Sequence, residues 1–223
     1  MSGSTQWPVV AVGESLLCLA EHAMVWPAER TLFVADVHLG KAASFRAAGV
    51  PLPSGHSSHD LDRLSTLIDT HKVSRLVILG DLVHTQTSYT EALDRKFRGF
   101  RRRHESIEML LVRGNHDLHA GDPPPDWGLQ TFAGPLTIGP FACCHEPPGD
   151  DVAGYALAGH LHPAVRLQTA REGVTLPCFW QHVKGMVLPA FGSLTGKYTV
   201  HLKSDESAIV IAGTRLHHIE YRG

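Results

Sequence analysis

The sequence predicts an α/β protein whose first half forms a parallel sheet. Three apolar runs have strand character and lie at residues 31–35, 75–79 and 107–112. Segments with helical spacing of apolar residues separate them, at residues 57–72 and 88–104. Because strands and helices alternate, the helices must act as crossover connections, and the three strands are expected to be parallel.

Each helix is predicted from its own apolar spacing. In the first helix the spaced positions are Leu61, Leu64, Leu67 and Ile68, and in the second they are Tyr89, Leu93, Phe97 and Phe100. Ser88 and Glu91 have the spacing of a capping box, in which each side chain accepts a hydrogen bond from a free backbone N–H. The second helix is therefore predicted to begin at Ser88.

The second half has a different pattern and predicts a mixed or antiparallel sheet. Short apolar runs separated by Gly and Pro show no helical period. They lie at residues 141–144, 155–158, 174–180, 187–190 and 208–212. With no repeat or low-complexity linker in view, residues 1–223 are expected to form a single domain with two packed sheets.

Composition narrows the class of protein. The chain has 223 residues, 43% of them hydrophobic, which is enough to bury a core. Its formal net charge of −2 gives no global attraction for polyanions, so any nucleic-acid binding requires a local patch. The apolar runs are too short to cross a bilayer, no signal core is visible, and the four cysteines form no C-x-x-C pair. A cytoplasmic protein with buried free thiols is expected.

Polar residues follow directly after five of the predicted strands. Because ligands of α/β sheets bind at the carboxyl ends of strands, these residues are expected to meet at one edge. Many are among the 16 histidines, whose imidazole suits metal binding and proton transfer. The five segments are Asp36-Val-His38, Gly80-Asp81-Leu-Val-His84, Gly114-Asn115-His116-Asp117, His145 and Gly159-His160-Leu-His162.

The chemistry of these side chains predicts a site for two metal ions. Imidazole, carboxylate and amide oxygen without thiolate suit Mn, Fe or Zn. Residues two apart in an extended segment point to the same side, so D-x-H and H-x-H each offer two ligands. Seven ligands exceed the needs of one cation, whereas two cations roughly 3.5–4 Å apart can hold both oxygens of an in-line displacement at phosphorus.

The order of the five blocks resembles a known family. D-x-H, G-D-x-x-H, G-N-H-D, H and G-H-x-H run in sequence from Asp36 to His162, as in the calcineurin-like metallophosphoesterases. The resemblance implies a four-layer αββα sandwich of two mixed sheets. It also implies a hydroxide, bridging two metals, that attacks phosphorus in line.

The resemblance assigns a role to each block. The first metal would be held by Asp36, His38, Asp81 and His162, and the second by Asp81, Asn115, His145 and His160, with Asp81 bridging. His116 would assist the leaving group, and Asp117 would orient His116. His84 is similar to a phosphate-placing histidine of DNA-repair nucleases.

Longer blocks are similar to one bacterial subgroup, the DNA-ligase-associated phosphoesterases, described as DNA damage response endonucleases. The blocks lie at residues 35–50, 112–117, 157–165, 176–180 and 188–196. The similarity implies DNA as the substrate and a DNA ligase, a helicase and an exonuclease as possible partners in repair. Manganese is the metal we expect, with Fe or Zn as alternatives.

Cationic and aromatic residues near these blocks have two interpretations each. Lys41, Arg46 and Arg113 could contact phosphate, but Lys41 and Arg46 could also lie on a solvated face, and Arg113 could pair with a carboxylate. The basic residues of the second helix, from Arg95 to Arg103, favour a solubilising face over a nucleic-acid track. Aromatic residues Phe179, Trp180 and Phe191 favour a core position over base stacking.

Two other functions stay open from the residues alone. A small-molecule phosphohydrolase acting on a nucleotide, a pyrophosphate or a lipid-linked sugar would present the same phosphorus centre to the same metals. A non-catalytic scaffold with this fold is the alternative from another class, and it is disfavoured because no ligand position has been lost.

Overall fold

The first sheet of the computed structural model, which describes residues 4–147, 154–168 and 173–221, has seven strands in the order of the chain. They are β1 (Gln6–Ala11), β2 (Glu14–Leu19), β3 (Ala23–Trp26), β4 (Thr31–Val34), β5 (Arg75–Leu79), β6 (Glu108–Val112) and β7 (Gln130–Phe132). Strands β1 to β4 are antiparallel, and β4 to β7 are parallel. The predicted parallel arrangement of the three central strands is confirmed.

The antiparallel strands β1 to β3 were not predicted from the sequence. A two-residue turn, Val12-Gly13, joins β1 to β2. Both residues have positive φ, 47° and 84°, as a type I′ hairpin turn requires. The Val12-Gly13 dipeptide, which lies between two runs rich in Val and Leu, could have predicted this hairpin.

Four α-helices lie between residues 41 and 120. They are α1 (Lys41–Ala47), α2 (His56–His71), α3 (Glu91–Arg103) and α4 (Asn115–Ala120). Helix α2 agrees with the predicted helix at residues 57–72. Helices α2 and α3 pack their apolar faces on one side of the first sheet, where Leu64 and Phe97 are almost fully buried.

The predicted start of α3 at Ser88 is wrong. Ser88 lies in a separate 3-10 turn, Gln86–Ser88, and its hydroxyl bonds to the Ser44 hydroxyl at 2.8 Å. Thr90 caps α3 instead, because its side chain accepts a hydrogen bond from the Leu93 amide at 3.2 Å. Ser88 thus forms a tertiary hydrogen bond with Ser44 and does not cap α3, the role that its spacing to Glu91 had indicated.

The second sheet has nine strands and is mixed, as predicted. They are β8 (Leu136–Ile138), β9 (Phe141–Cys143), β10 (Tyr155–Ala158), β11 (Pro163–Gln168), β12 (Gly173–His182), β13 (Gly185–Val187), β14 (Tyr198–Thr199), β15 (Ser207–Ala212) and β16 (Arg215–Glu220). Strand β10 is parallel to both of its neighbours, β9 and β13, whereas β12 is antiparallel to β11, β13 and β15.

The two sheets pack face to face around a shared core. Alternate residues of β4 separate two environments: Phe33 faces the second sheet, and Leu32 and Val34 face the helices. Phe141 of β9 lies in the core between the sheets. The α/β fold of two mixed sheets is confirmed. The described residues beyond Ala120 form no α-helix, so they show a helical layer on the first sheet only and not the second helical layer of the expected αββα sandwich.

All four cysteines are free and buried, as predicted. Burial raises the pKa of each thiol, to about 11 for Cys144 and about 12 for Cys178, so none is a ready thiolate. In the part of the chain that the structure describes, no helix is both long and apolar enough to span a bilayer.

The inter-sheet core makes a test of stability. Phe141 is fully buried and contacts the rings of Trp26 and Phe33, with centroid separations of 5.0 and 6.4 Å. We expect Phe141→Ala to lower the free energy of unfolding by about 3–5 kcal/mol in chemical denaturation, because it leaves a cavity between the sheets. The exposed control Val183→Ala should change it by less than about 0.5 kcal/mol. Equal losses in both variants would contradict this view of the core.

Candidate metal centre

Backbone hydrogen bonds align the loops that follow β4 and β5. The amide of Asp36 donates to the Gly80 carbonyl at 3.1 Å, and the amide of His38 donates to the Asp81 carbonyl at 2.8 Å. A further bridge joins Leu39 to Val83. The first two polar blocks are therefore fixed side by side at the carboxyl edge of the first sheet.

The second sheet is tied to the same edge. The amides of Phe191 and Gly192 donate to the carbonyls of Ala35 and Asp36, at 2.8 and 3.1 Å. The amide of His160, at the end of β10, donates to Asp36 Oδ2 at 2.9 Å. Loops of both sheets thus meet around the Asp36 carboxylate, which is fully buried.

On one side of the centre, Asp36, His38 and His162 bring their ligand atoms within 4.8 Å of one another. His162 Nε2 lies 3.5 Å from Asp36 Oδ1. His38 Nε2 lies 3.8 Å from Asp81 Oδ2. These four side chains are the set expected for the first metal.

On the other side, Asp36, Asp81 and His145 also have ligand atoms within 4.8 Å. His145 Nε2 lies 3.6 Å from Asp81 Oδ1, 2.9 Å from Asn115 Oδ1 and 3.0 Å from His160 Nδ1. Asp81 therefore turns one carboxylate oxygen to each half of the centre. The structure brings together all seven residues expected to bind metal.

The tautomer of His145 is fixed by a carbonyl group. Its Nδ1 lies 3.1 Å from the Leu79 carbonyl oxygen, which can only accept a hydrogen bond. Nδ1 therefore donates to this carbonyl, and Nε2 is the ring nitrogen that faces Asp81 and Asn115 and is placed to bind a metal. Metal-binding histidines are commonly fixed in this way.

Five of the seven residues have strained backbones. Their φ angles are positive, a backbone conformation that residues other than glycine rarely adopt. The values are 53° for Asp36, 51° for His38, 54° for Asp81, 68° for His160 and 51° for His162. Each such residue costs about 1–3 kcal/mol, and residues of this kind cluster at functional sites. The left-handed conformation turns each side chain off its strand and into the centre.

Glycines before the polar blocks allow this close approach. At Gly80, which has a φ of 81°, an added Cβ would lie 2.0 Å from the His145 ring. At Gly114 an added Cβ would lie 2.2 Å from Asp81 Oδ1. Side chains at these positions would displace the ligands themselves.

The polar groups of the centre fit divalent cations. Asp36 Oδ1 and His38 Nδ1 are buried and have no hydrogen-bond partner among the described residues. Burial raises the pKa of Asp81, which the neighbouring Asp36 carboxylate raises further. Burial also lowers the pKa of His38 to about 2, so its imidazole is neutral and can bind a metal. Buried, clustered carboxylates such as these are stabilised by bound divalent ions.

The expected catalytic residues lie beside this centre. His116 packs against His38 with ring centroids 4.9 Å apart, and its amide donates to Asp81 Oδ1 at 2.9 Å. His84 stacks on His116, with centroids 4.8 Å apart and an interplanar angle of 26°. Burial, followed by Lys41 and His116, lowers the pKa of His84 to about 4.

The Asp117 carboxylate binds the backbone, and among the described residues it forms no hydrogen bond with the His116 ring. Its carboxylate accepts hydrogen bonds from the amides of Gly114 at 3.0 Å and Val83 at 3.2 Å. The His84 carbonyl oxygen lies 2.7 Å from His116 Nδ1 and orients the ring. Asp117 thus positions the turn that carries His116 through the backbone of that turn. Burial raises its pKa to about 6.

The three cations considered for phosphate contact have different surroundings. Lys41 begins α1 and is half-buried, and both Asp36 and Asp81 act on its pKa, which burial lowers. Arg46 donates to the carbonyls of Leu52 and Pro53, at 3.2 and 3.1 Å. Arg113 forms two hydrogen bonds to Asp122, at 2.7 and 2.6 Å, which supports pairing with a carboxylate.

The interpretations of the basic helix and the aromatic residues are also settled in part. Arg98 pairs with Asp94 and Asp126, and Arg103 pairs with Asp69, so much of the charge of α3 is used within the protein. Phe179 and Phe191 are buried in the two large cores. These aromatic rings are unavailable for stacking on a base.

Sequence reasoning gave no site role to the segment that follows β13. Residues 188–196 were noted for their resemblance to a subgroup, and Phe191 as an aromatic residue, yet the structure places them against the loop that carries Asp36. Their position beside the centre could not be predicted from the sequence, because it depends on tertiary contacts and the block contains no typical metal ligand.

The comparisons with known proteins agree with this geometry. The family model of the calcineurin-like phosphoesterases matches residues 29–173. The crystal structure of nuclease MPE from Pseudomonas putida superposes with a TM-score of 0.84 and 37% identity, covering 96% of this chain and 100% of that one. Yfce, a phosphoesterase from E. coli, has a TM-score of 0.44 and 14% identity over 85% of this chain and 97% of its own, too low to carry an argument. No protein with curated annotation matches the chain.

Fold and centre together define a metal-dependent phosphoesterase. The chain belongs to the calcineurin-like phosphoesterase family. It is a phosphoester hydrolase, and the alternative of a non-catalytic scaffold has no support. Enzymes of this family work with a dinuclear metal centre, and the groups of Asp and His described above are the candidates to hold it.

Gly114 gives a steric test of the centre. We expect Gly114→Ala to lower metal content and phosphodiesterase activity at least tenfold, because the new methyl group would displace the Asp81 carboxylate. Its φ of −94° suits alanine, so the effect would not come from backbone strain. Gly99→Ala, where an added Cβ meets nothing within 4 Å, is the matched control and should keep full activity. Full metal content in both variants would contradict the described approach of Gly114 to Asp81.

Metal binding should also appear as stability. At a hundredfold excess over its Kd, one bound cation adds about 2.7 kcal/mol, which corresponds to roughly 5–10 °C in Tm for a chain of this size. We expect Asp36→Asn to remove most of this gain while leaving the Tm of the chelated protein within a few degrees, since it relieves a buried carboxylate. Differential scanning fluorimetry with Mn²⁺ and with chelator measures both. A full metal-induced shift in the variant would exclude Asp36 as a ligand.

Proposed function

We propose that the chain is a metal-dependent endonuclease or phosphodiesterase that acts on DNA. The observation that carries this proposal is the convergence of seven metal-ligand candidates beside the stacked pair His84 and His116. The similarity to a nuclease over nearly the whole of both chains supports a nucleic-acid substrate.

The two divalent cations, when bound, supply Lewis acidity and an activated water for attack at phosphorus. Asp36, His38, Asp81 and His162 would hold the first, and Asp81, Asn115, His145 and His160 the second. Manganese is the metal we propose, because the ligand set combines imidazole with oxygen donors and has no thiolate.

His116 would assist departure of the leaving group. Its Nδ1 must carry a proton, because that atom meets the His84 carbonyl oxygen at 2.7 Å. The remaining nitrogen, Nε2, would therefore be the one that donates a proton to the leaving oxygen. Stacking on His84 restrains the ring, and the ammonium group of Lys41 would offset negative charge on the phosphate.

A role in DNA repair, with a DNA ligase, a helicase and an exonuclease as neighbours in the pathway, is part of the proposal. It rests on the resemblance of the longer sequence blocks to one bacterial subgroup. The proposed cytoplasmic location is supported by four free, buried cysteines.

A cleavage assay tests the function. Purified protein with Mn²⁺ is offered single-stranded DNA, double-stranded DNA and bis-p-nitrophenyl phosphate. We expect cleavage of DNA, and we expect His116→Ala to reduce kcat about 10²–10⁴-fold without loss of metal. His201→Ala, which removes an exposed histidine, is the control and should match the wild type. Hydrolysis of the small diester with no cleavage of either DNA would favour a small-molecule phosphohydrolase instead.

A further inference from the structure

A pocket of about 310 Å³ opens next to the metal centre. Its walls come from five separate parts of the chain, and they include His22, Arg63, His162, Ser193, Thr195 and Lys197. His162 belongs to both places, because its Nε2 lies 3.5 Å from Asp36 Oδ1. The pocket is therefore one side chain away from the centre.

The lining of the pocket is basic. It contains Arg63, Lys197 and two histidines, and none of the described residues that line it is acidic. This local excess of positive charge contrasts with the net charge of −2 of the whole chain. A concave surface lined by one sign of charge attracts ligands of the opposite sign.

The two cations, Arg63 and Lys197, have different surroundings. Arg63 is held by the Asp60 carboxylate at 3.1 Å and by the Phe191 carbonyl at 2.8 Å, so it fixes one wall. Lys197 forms no ion pair with a described residue, and its ammonium group donates to the Thr175 carbonyl at 3.1 Å. Lys197 is thus the cation that remains available to a ligand.

His22 adds a directed polar atom. Its Nδ1 lies 2.8 Å from the Ala190 carbonyl oxygen, so Nδ1 carries the proton and Nε2 is left to interact with a ligand. Both Arg63 and Lys197 act electrostatically on this imidazole, which shows that the three groups converge. The backbone of His22 is held at a φ of 64°.

The loop with Lys197 offers further donors. The amides of Thr195, Gly196 and Lys197 donate to no described residue. The same loop is anchored to the centre at both ends, since the Gly192 amide donates to the Asp36 carbonyl and the Tyr198 amide to the His162 carbonyl. Free N–H groups next to a cation are typical of phosphate-binding loops.

The size of the pocket exceeds that of a phosphate group alone. About 310 Å³ lies at the lower end of sites for small organic ligands. Pro163 and Pro177 give it an apolar wall suited to a sugar or a base edge. The cationic and apolar features of the lining together match one nucleotide, which carries an anionic phosphate and an apolar base.

We propose that this pocket binds the nucleotide next to the scissile phosphate and that Lys197 holds the phosphate of that nucleotide. The proposal rests on the proposed nuclease function and deepens it, because it makes a strand with at least two phosphates the preferred substrate. A substrate with a single phosphodiester offers no phosphate to Lys197.

Substrates that differ by one phosphate test the proposal. The manganese-loaded enzyme is given dithymidine monophosphate, which has one phosphodiester, and the same dinucleotide with a terminal phosphate at its 5′ or its 3′ end. We expect the terminal phosphate at one end to raise kcat/KM about tenfold in the wild type. Lys197→Gln should abolish that gain while keeping kcat/KM on dithymidine monophosphate within twofold, and Lys197→Glu should reverse it.

Lys203→Gln is the matched control, because it removes the same charge from an exposed lysine outside the pocket and should keep the tenfold gain. Equal kcat/KM on all three dinucleotides, or an unchanged gain in Lys197→Gln, would overturn the pocket assignment while DNA cleavage stands. If long DNA and all the dinucleotides stay intact while bis-p-nitrophenyl phosphate is hydrolysed, the nuclease function fails and the pocket assignment fails with it.

Discussion

The structure depends on bringing two buried carboxylates, Asp36 and Asp81, into one small volume. Such a contact is unfavourable in itself, because burial and mutual repulsion both oppose the charged forms. Backbone hydrogen bonds between the loops after β4 and β5 hold it, and the bonds from Phe191 and Gly192 close it from the second sheet. The protein supplies imidazoles and an amide around the pair, and it leaves Asp36 Oδ1 without a donor. Bound cations would therefore supply the stabilisation that the carboxylate pair lacks in the protein alone.

The loops also carry conformational strain, which the fold can sustain because the strands on either side are deeply buried. Asp36 follows β4, Asp81 follows β5 and His160 follows β10, and these three strands contain almost no exposed residue. At Gly80, which precedes Asp81, the absence of a side chain leaves room for the His145 ring. Rigid strands thus fix the left-handed residues in the geometry that the metals require.

Much of the centre could be predicted from the sequence, because strand ends and residue types are local signals. Asp36, Asp81, His145 and His160 each follow an apolar run, and parallel strands bring such positions to one edge. The target of Asp117 and the helix start at Thr90 could not be predicted, since both depend on contacts between distant segments. The same reason hid the basic pocket, in which residues 22, 63, 162 and 197 meet only after both sheets have formed. Strands β1 to β3 were missed, although the Val12-Gly13 turn was visible.

The seven ligand candidates are divided between the two sheets, and this division has a mechanical consequence. Asp36, His38, Asp81 and Asn115 follow strands of the first sheet, whereas His145, His160 and His162 follow strands of the second. A cation bound between them acts as a cross-link at one rim of the sandwich. Removing it with a chelator would therefore loosen the attachment of one sheet to the other while each keeps its own strand pairing. In amide hydrogen exchange, protection would decline first along the rim and last at Phe33 and Phe141 in the shared interior.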